Sequence, residues 1–321
     1  MKKIVDDLRL IYKICCLYYE DDMKQQEISD YLGVSRATVS RMLQMGKEKG
    51  LIKIEVINPV KFSYGKLEKT LEKKYGLKDV IIVEGTALDT KEESSTRLYE
   101  EAAIYLAESF REGEHIGVSM GYTLHNVAMA KVKFSIDKQL KFVPLIGGVS
   151  HGTEAGADVQ SNQIAKEFAD KFGGTYTQFL APAVFSKRTT LDYFLQEESV
   201  NFIFDEFKKL STIVMGIGIP ERTESTLIRA KYTSIAEMDE FVKMGAVGDV
   251  SLQFFDEYGD REKFKHFNER VAAIPFEIAN TVPRRIGIAA GAKKAKAVKS
   301  AIAGKFINIL ITNIDCGNAL L

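Results

Sequence analysis

Six short runs, nearly all apolar and mostly rich in β-branched residues, constrain this chain of 321 residues more than any other feature. They are DVIIVEG at 79–85, EHIGVSMG at 114–121, KFVPLIGG at 141–148, STIVMGIG at 211–218, RRIGIAAG at 284–291 and FINILITN at 306–313. A strand with one wet face alternates apolar and polar residues. A run without alternation must be covered on both faces, as in a parallel sheet flanked by helices. Most of these runs feed a glycine loop and then a helical segment, the rhythm of an α/β layered domain. The expected fold class is therefore α/β, with a large parallel-sheet domain over 77–321. In such sheets ligands bind beyond the carboxyl ends of the strands, so the glycine loops become the candidate site.

Ahead of this domain the stretch Gln25–Gln44, QQEISDYLGVSRATVSRMLQ, reads as two short helices with a fixed elbow. Asp22 with Gln25 is expected to cap the first helix, and Ile28, Tyr31 and Leu32 to share its inner face. Gly33 can stop it by taking the left-handed backbone, and Ser29 is small enough for a close approach of the second helix. Ser35 is a good N-cap for that second helix, whose Val39, Met42 and Leu43 return to the core. Arg36, Ala37, Thr38, Ser40 and Arg41 are left facing outward. The chain carries 44 basic and 44 acidic residues, yet Arg36, Arg41, Lys47, Lys49 and Lys53 face only Glu48 between Ser35 and Lys53. A locally basic helix with arginine, threonine and alanine on its outer face suits the major groove.

A helix from about Ile4 to Tyr19 is expected to buttress this pair through Leu8, Ile11, Tyr12, Cys15 and Tyr18, and Glu20, Asp21 and Asp22 to end it. After the recognition helix stops near Gly50, LIKIEVIN alternates as the arm of a β-wing would. These readings give a winged helix-turn-helix domain at 1–58. The assigned DNA contacts are Gln26, Ser35, Arg36, Ala37, Thr38, Ser40, Arg41 and Lys53. Pro59 marks a boundary, and KLEKTLEKKYG, with Leu67, Leu71 and Tyr75 on one side, reads as a connecting helix within 59–76.

In the large domain GVSMGYT, Gly117–Thr123, precedes a helix expected near Leu124. Glycines there let backbone N–H groups face an anion, with Ser119, Tyr122 and Thr123 adding hydroxyls at the positive end of the helix dipole. The same letters match the G-x-S-x-G of serine hydrolases, but no HGGG-like segment accompanies them. A second loop, beginning with Gly147 and Gly148, leads to a helix whose start carries Gln160 and Asn162, amides suited to sugar hydroxyls. MGIGIP contributes Gly218, GAVGD contributes Asp249 as a hydroxyl-accepting carboxylate, and AAGAKKAKAV contributes Lys294 at a helix mouth.

No apolar run is long enough to span a bilayer, and MKKIVDDLRL has acids where a secretion signal needs an apolar stretch. The expectation is a cytoplasmic chain without membrane contact. Cys15, Cys16 and Cys316 form no metal-ligand spacing, and His115, His125, His151 and His266 are scattered, so neither metal nor cofactor is expected.

Taken in order, QQEISDYLGVSRATVSRMLQMGKEKG, GVSMGYT, LIGGVS, LAPAVF, GIG, MGAVGDVSLQFFDEYGD and IAAGAKKAKAVKSAIAGKFINILITN resemble SorC-type sugar-operon transcriptional regulators. The resemblance covers nearly the whole chain. It implies a winged helix-turn-helix followed by an effector domain similar to sugar-phosphate isomerases and glucosamine-phosphate deaminases, assembled as a homo-oligomer, usually a tetramer. It also implies operator DNA and a phosphorylated sugar as partners, and no enzymatic activity. On this likeness Ser119, Gly121 and Thr123 correspond to the phosphate loop, Gln160 and Asn162 to the loop-helix positions, Asp249 to the carboxylate and Lys294 to the late lysine. Tyr122, Gly147, Gly148 and Gly218 complete the expected effector site. Deoxyribonucleoside regulators of this family carry a lysine immediately before the paired glycines, able to form a Schiff base. Here that position is Ile146, so binding is expected to be reversible. Lys305 stands where many relatives have a second glycine. An isomerase-like or deaminase-like enzyme is the alternative reading, and a nucleotide-binding module would lack its G-x-G-x-x-G fingerprint.

Overall fold

The computed structural model describes residues 8–52, 64–84, 91–134, 138–149, 157–222 and 225–321. The chain divides into two compact units, 1–62 and 63–321. In the first unit helices run over Leu8–Tyr19, Gln25–Leu32 and Arg36–Glu48. Ile11, Ile14, Cys15, Ile28, Val39, Met42 and Leu43 form its core. Gly33 takes φ 65° and closes the helix before it, while Ser29 Oγ donates to the Val34 carbonyl at 2.6 Å, tying down the elbow. Ser29 thus contributes a hydrogen bond as well as its small size.

Three local expectations need correction. Asp22 has φ 52° and is not the cap; the N-cap is Lys24, whose N–H donates to Glu27 Oε2 at 2.7 Å. Tyr31 is 65 % exposed and carries Lys13 Nζ at 5.6 Å from its ring centroid. On the first helix the inward stripe is Ile11, Ile14, Cys15 and Tyr18, leaving Leu8 and Tyr12 exposed. Helical spacing fits either stripe, and packing against the other two helices chose between them. The expected wing at 51–58, including Lys53, lies almost wholly outside the described residues.

In the second unit the strands are β1 (Asp79–Val83), β2 (His115–Val118), β3 (Lys141–Pro144), β4 (Thr175–Tyr176), β5 (Thr212–Gly216), β6 (Gly248–Val250), β7 (Gln253–Phe255), β8 (Arg284–Ala289) and β9 (Ile309–Asn313). Seven form one sheet in the order β1-β9-β8-β5-β2-β3-β4, with every adjacent pair parallel. All six apolar runs are in it. Successive residues of each strand serve opposite faces: Ile213 and Met215 join Leu310, Phe207 and Phe255, whereas Val214 joins Ile286, Ile311, Phe142 and Phe172. Burial on both faces is why alternation is missing from the sequence.

Three strands were not foreseen from the residues. The edge strand β4 has only two residues, and β6 and β7 form a separate antiparallel pair. Ser251 and Leu252, with φ of 53° and 63°, make the two-residue turn of that pair. Such turns favour Asn-Gly, so a buried serine and leucine here hold the backbone at a cost of order 1–3 kcal/mol each. The helix expected as a connector, Gly65–Tyr75, belongs to the second unit. Its Leu71 is buried, and Glu72 Oε1 accepts the Val80 N–H at 3.3 Å.

Candidate functional site

Two surfaces carry the candidate chemistry, one in each unit. On the second helix of the pair Ser35 Oγ accepts the Thr38 N–H at 3.1 Å, fixing the helix start. Arg36, Ala37, Ser40 and Arg41 are exposed and Thr38 is half-buried, its hydroxyl 2.9 Å from Ser35 Oγ. Gln44 extends the same outward stripe one turn further, a residue the sequence reading passed over. Gln26 is exposed on the preceding helix and bonds Asp30 at 3.0 Å. A fixed start and a basic, solvent-facing stripe are what insertion into a major groove requires.

In the second unit a cavity of about 810 Å³ opens at the carboxyl ends of β2, β5, β8 and β9. The chain proceeds from β2 to β3 and β4 on one side, and β5, β8 and β9 are laid on the other, so the cavity straddles the point where strand order reverses. That is where an open α/β sheet leaves a crevice. Three helix starts turn toward it. Gly121, at φ 118°, precedes the helix Tyr122–Met129, two residues earlier than expected. Gly291, at φ 92°, precedes the turn Ala292–Lys294 and the helix Ala295–Ala303. Asn313 caps Ile314–Ala319, its Oδ1 accepting the N–H groups of Cys316 at 3.3 Å and Gly291 at 2.8 Å, so one amide locks two loops together. First-turn N–H groups have no intrahelical acceptor and present partial positive charge.

Opposite charges face one another across this floor. Lys294 Nζ donates to the Ile217 carbonyl at 2.7 Å. Burial pulls its ammonium down from the ordinary lysine range, while the charges of Asp249, Cys316 and Glu221 act the other way. Asp249, in β6, is buried; desolvation pushes its carboxyl up to about 6, against the opposing pull of Lys294 and the Leu252 N–H. Gly218 pairs with Asp249 through N–H···O=C bonds of 2.9 and 3.2 Å in both directions, and a Cβ on Gly218 would lie 2.0 Å from Asp249 Oδ1. Glycine is needed there to admit the carboxylate. The arrangement offers dipoles and a cation for an anionic group, and carboxylates, hydroxyls and carbonyls for a polyol.

Residues 62–321 match the family described as “Putative sugar-binding domain”, and residues 14–61 match a Crp-like helix-turn-helix domain. The sorbitol operon regulator of Klebsiella pneumoniae is 28 % identical over 98 % of both chains. The deoxyribonucleoside regulator of Bacillus subtilis is 30 % identical over 95 % of each. This chain belongs to the SorC-type transcriptional regulators. The solved full-length Klebsiella regulator superposes with a TM-score of 0.71 over 98 % of this chain and 99 % of its own. A DeoR family regulator from Listeria monocytogenes superposes at 0.72 over 81 % of this chain and 100 % of its own, with 25 % identity.

As a SorC-type regulator the chain combines a DNA-binding helix pair with a sugar-binding domain, and its named relatives are regulators rather than enzymes. Of the expected effector residues, Gly121, Tyr122, Thr123, Gly218, Asp249 and Lys294 line the cavity together. Ser119, Gly147, Gly148, Gln160 and Asn162 are not among its lining residues. Ser119 is buried one layer below, its Oγ 2.9 Å from that of Ser251, which does line the wall. Asn162 spends its amide on the backbone: Nδ2 donates to Gly148 and Phe179 carbonyls at 2.8 and 3.0 Å, and Oδ1 accepts the Phe179 N–H at 2.8 Å. Gly147 N–H donates to the Ala272 carbonyl at 2.8 Å, and a Cβ there would strike the Ala181 carbonyl at 2.7 Å. Gln160 is half-buried before the helix Ser161–Phe172, its Oε1 3.0 Å from where a Gly148 Cβ would stand. Asn162 and Gly147 thus tie down the segment that begins after β3. Ile146 is buried and bridges Ala273. Lys305, at φ 60°, lines a small apolar pocket containing Phe306 and Ile213.

Wall residues missed from sequence include Ser251, Asn313, Asp315 and Glu221. Asn313 was findable, since an asparagine between an apolar run and a helical segment is an N-cap signal. The others lie on segments whose approach depends on tertiary folding. Among the described residues no helix is long and apolar enough to cross a membrane.

Proposed function

We propose that the cavity reversibly binds a phosphorylated sugar and that its occupancy changes affinity for operator DNA. The phosphate is assigned to the space between the helix starts at Tyr122 and Ala292, beside Lys294, and the sugar hydroxyls to Asp249 and its neighbours. One observation carries this reading: two glycine-led helix starts and a half-buried lysine converge opposite a buried carboxylate at the strand-order reversal. An anion gains from the dipoles and the ammonium, and a polyol gains from acceptors that a purely anionic ligand would avoid. Ile146 supports reversible rather than covalent capture, because it supplies no amine. The names of the sorbitol and deoxyribonucleoside regulators support a carbohydrate-utilisation operon as the target. The regulator is proposed to act in the cytoplasm as a homo-oligomer, a tetramer, presenting two recognition helices to successive operator half-sites. Ligand can shift DNA affinity only through unequal affinity for two arrangements of the protein, and DNA must then shift ligand affinity equally.

The test is a thermal-shift screen across triose, pentose, hexose and hexitol phosphates at fixed protein concentration, each beside its unphosphorylated counterpart. Stabilisation by a phosphorylated compound, largely lost in Thr123→Val and Lys294→Ala, is the expected result. Equal losses for the phosphorylated and unphosphorylated partners would exclude phosphate contact at these residues.

A further inference from the structure

Part of the cavity wall comes from neither the strand ends nor the β6–β7 pair. Tyr64 lines it, together with Ser94 and Ser95 of the helix Lys91–Ser109. Tyr64 is also the N-cap of the helix Gly65–Tyr75, one residue past Ser63, where the second unit begins. The polypeptide coming from the DNA-binding unit therefore enters the effector domain at a side chain that faces the cavity.

The helix that Tyr64 opens is firmly held. Glu68 Oε1 accepts the Ile82 N–H at 2.9 Å, and Tyr75 donates its hydroxyl to the Leu320 carbonyl at 2.7 Å. Its Leu67 lies 3.5 Å from where a Gly317 Cβ would stand, on the helix Ile314–Ala319. Ile314 and Asp315 of that helix line the same cavity. This helix thus meets the cavity twice, directly through Tyr64 and through the helix packed on it.

We infer that Tyr64 is a ligand-contacting residue and the relay by which a sugar phosphate in this cavity reaches the DNA-binding unit. This rests on the sugar-phosphate reading above. Ligand contact with Tyr64 biases the position of the start of Gly65–Tyr75, the element through which the DNA-binding unit is covalently joined to the effector domain. A wall residue elsewhere, such as Thr123, affects ligand affinity without this role.

The chain contains no tryptophan, so Tyr64→Trp places a single fluorophore on the wall. Full-length Tyr64→Trp is titrated with sorbitol 6-phosphate, 2-deoxyribose 5-phosphate and inorganic phosphate, then with a duplex from its own promoter. Its emission should shift on adding a sugar phosphate that stabilises the wild type, and also on adding the duplex. In full-length Tyr64→Ala that sugar phosphate should bind more weakly, so promoter affinity is compared at saturating ligand. Its effect on promoter affinity, of order 5–150-fold in coupled systems, should fall to about twofold or less, with recovery in Tyr64→Phe. Wild-type coupling in Tyr64→Ala overturns the relay alone. Should Tyr64→Ala fail to fold, unchanged Tyr64→Trp emission on both additions overturns it equally. No thermal shift of the wild type by either sugar phosphate or any other compound of the screen overturns the cavity reading, and the relay with it.

Discussion

Every residue assigned to DNA on the recognition helix falls between Ser35 and Arg41, whereas the cavity wall is gathered from segments as distant as Tyr64 and Asp315. On the helix Arg36, Ala37, Ser40 and Arg41 are exposed, and Ser35 and Thr38 pair with one another. In the cavity Asp249 is buried, Lys294 is half-buried, and each shifts the other's titration. The contrast teaches where each surface is vulnerable. Changes on the helix should alter binding and leave folding nearly untouched, while changes in the cavity should alter both, because its polar groups are held at the expense of desolvation.

The sharpest break of that contrast is Arg36→Ala combined with Arg41→Ala. If both guanidinium groups read bases, operator binding should weaken by about 2–6 kcal/mol, at about 1–3 kcal/mol for each, with the melting temperature nearly unchanged. Gel-shift or anisotropy titration against operator and random duplex measures this; unaltered discrimination would remove this helix from the groove.

Next comes Asp249→Asn. A carboxyl raised from an ordinary 3.8 to about 6 corresponds to roughly 3 kcal/mol of folding free energy. The unfolded chain loses this proton first, so the folded state holds more protons between those values, and stability falls as pH rises through that window. The penalty is absent below it and fully present above about 6. Asp249→Asn should therefore stabilise the protein at pH 7.5 and bring little gain near pH 4, as chemical denaturation would record, while weakening sugar-phosphate binding. An equal change at both pH values would contradict a desolvated carboxylate at this position.

Gly218→Ala should cost about 1–3 kcal/mol, since its Cβ must displace the Asp249 carboxylate from a packed wall. Ligand affinity should drop further than stability. A variant that melts like wild type and binds sugar phosphate as well would show that the close approach is dispensable. The smallest expected effect is that of Ser35→Ala, about 1 kcal/mol of stability through loss of the helix cap, with weaker operator binding. Loss of operator binding at unchanged stability would instead make Ser35 a direct phosphate contact.

The two regions also differ in how much the sequence disclosed. Gly33, Ser35, Val39, Met42 and Leu43 take the places expected of them, because a cap, a left-handed glycine and a helical stripe act over three or four residues. Six of the seven sheet strands were equally legible, since unbroken apolar runs record burial on both faces. Within the cavity the glycine-led starts at Gly121 and Gly291 followed from strand-loop-helix order. Asn162 looked like a sugar ligand from its position on the chain, yet Gly148 and Phe179 lie close enough in space to take its whole amide.

By itself, then, the sequence determined six of the seven strands of the main sheet, the basic helix that precedes them, and the end of that sheet at which the glycine loops gather. Tertiary structure alone decided that Asp249 would come from an antiparallel pair to face Lys294, that Ser251 and Leu252 would hold its turn, and that Tyr64 would reach the cavity. The physical reason is range. Backbone propensity, caps and periodicity act along a few residues, whereas charge pairing, desolvation and close approach depend on neighbours brought together only when the whole sheet has closed.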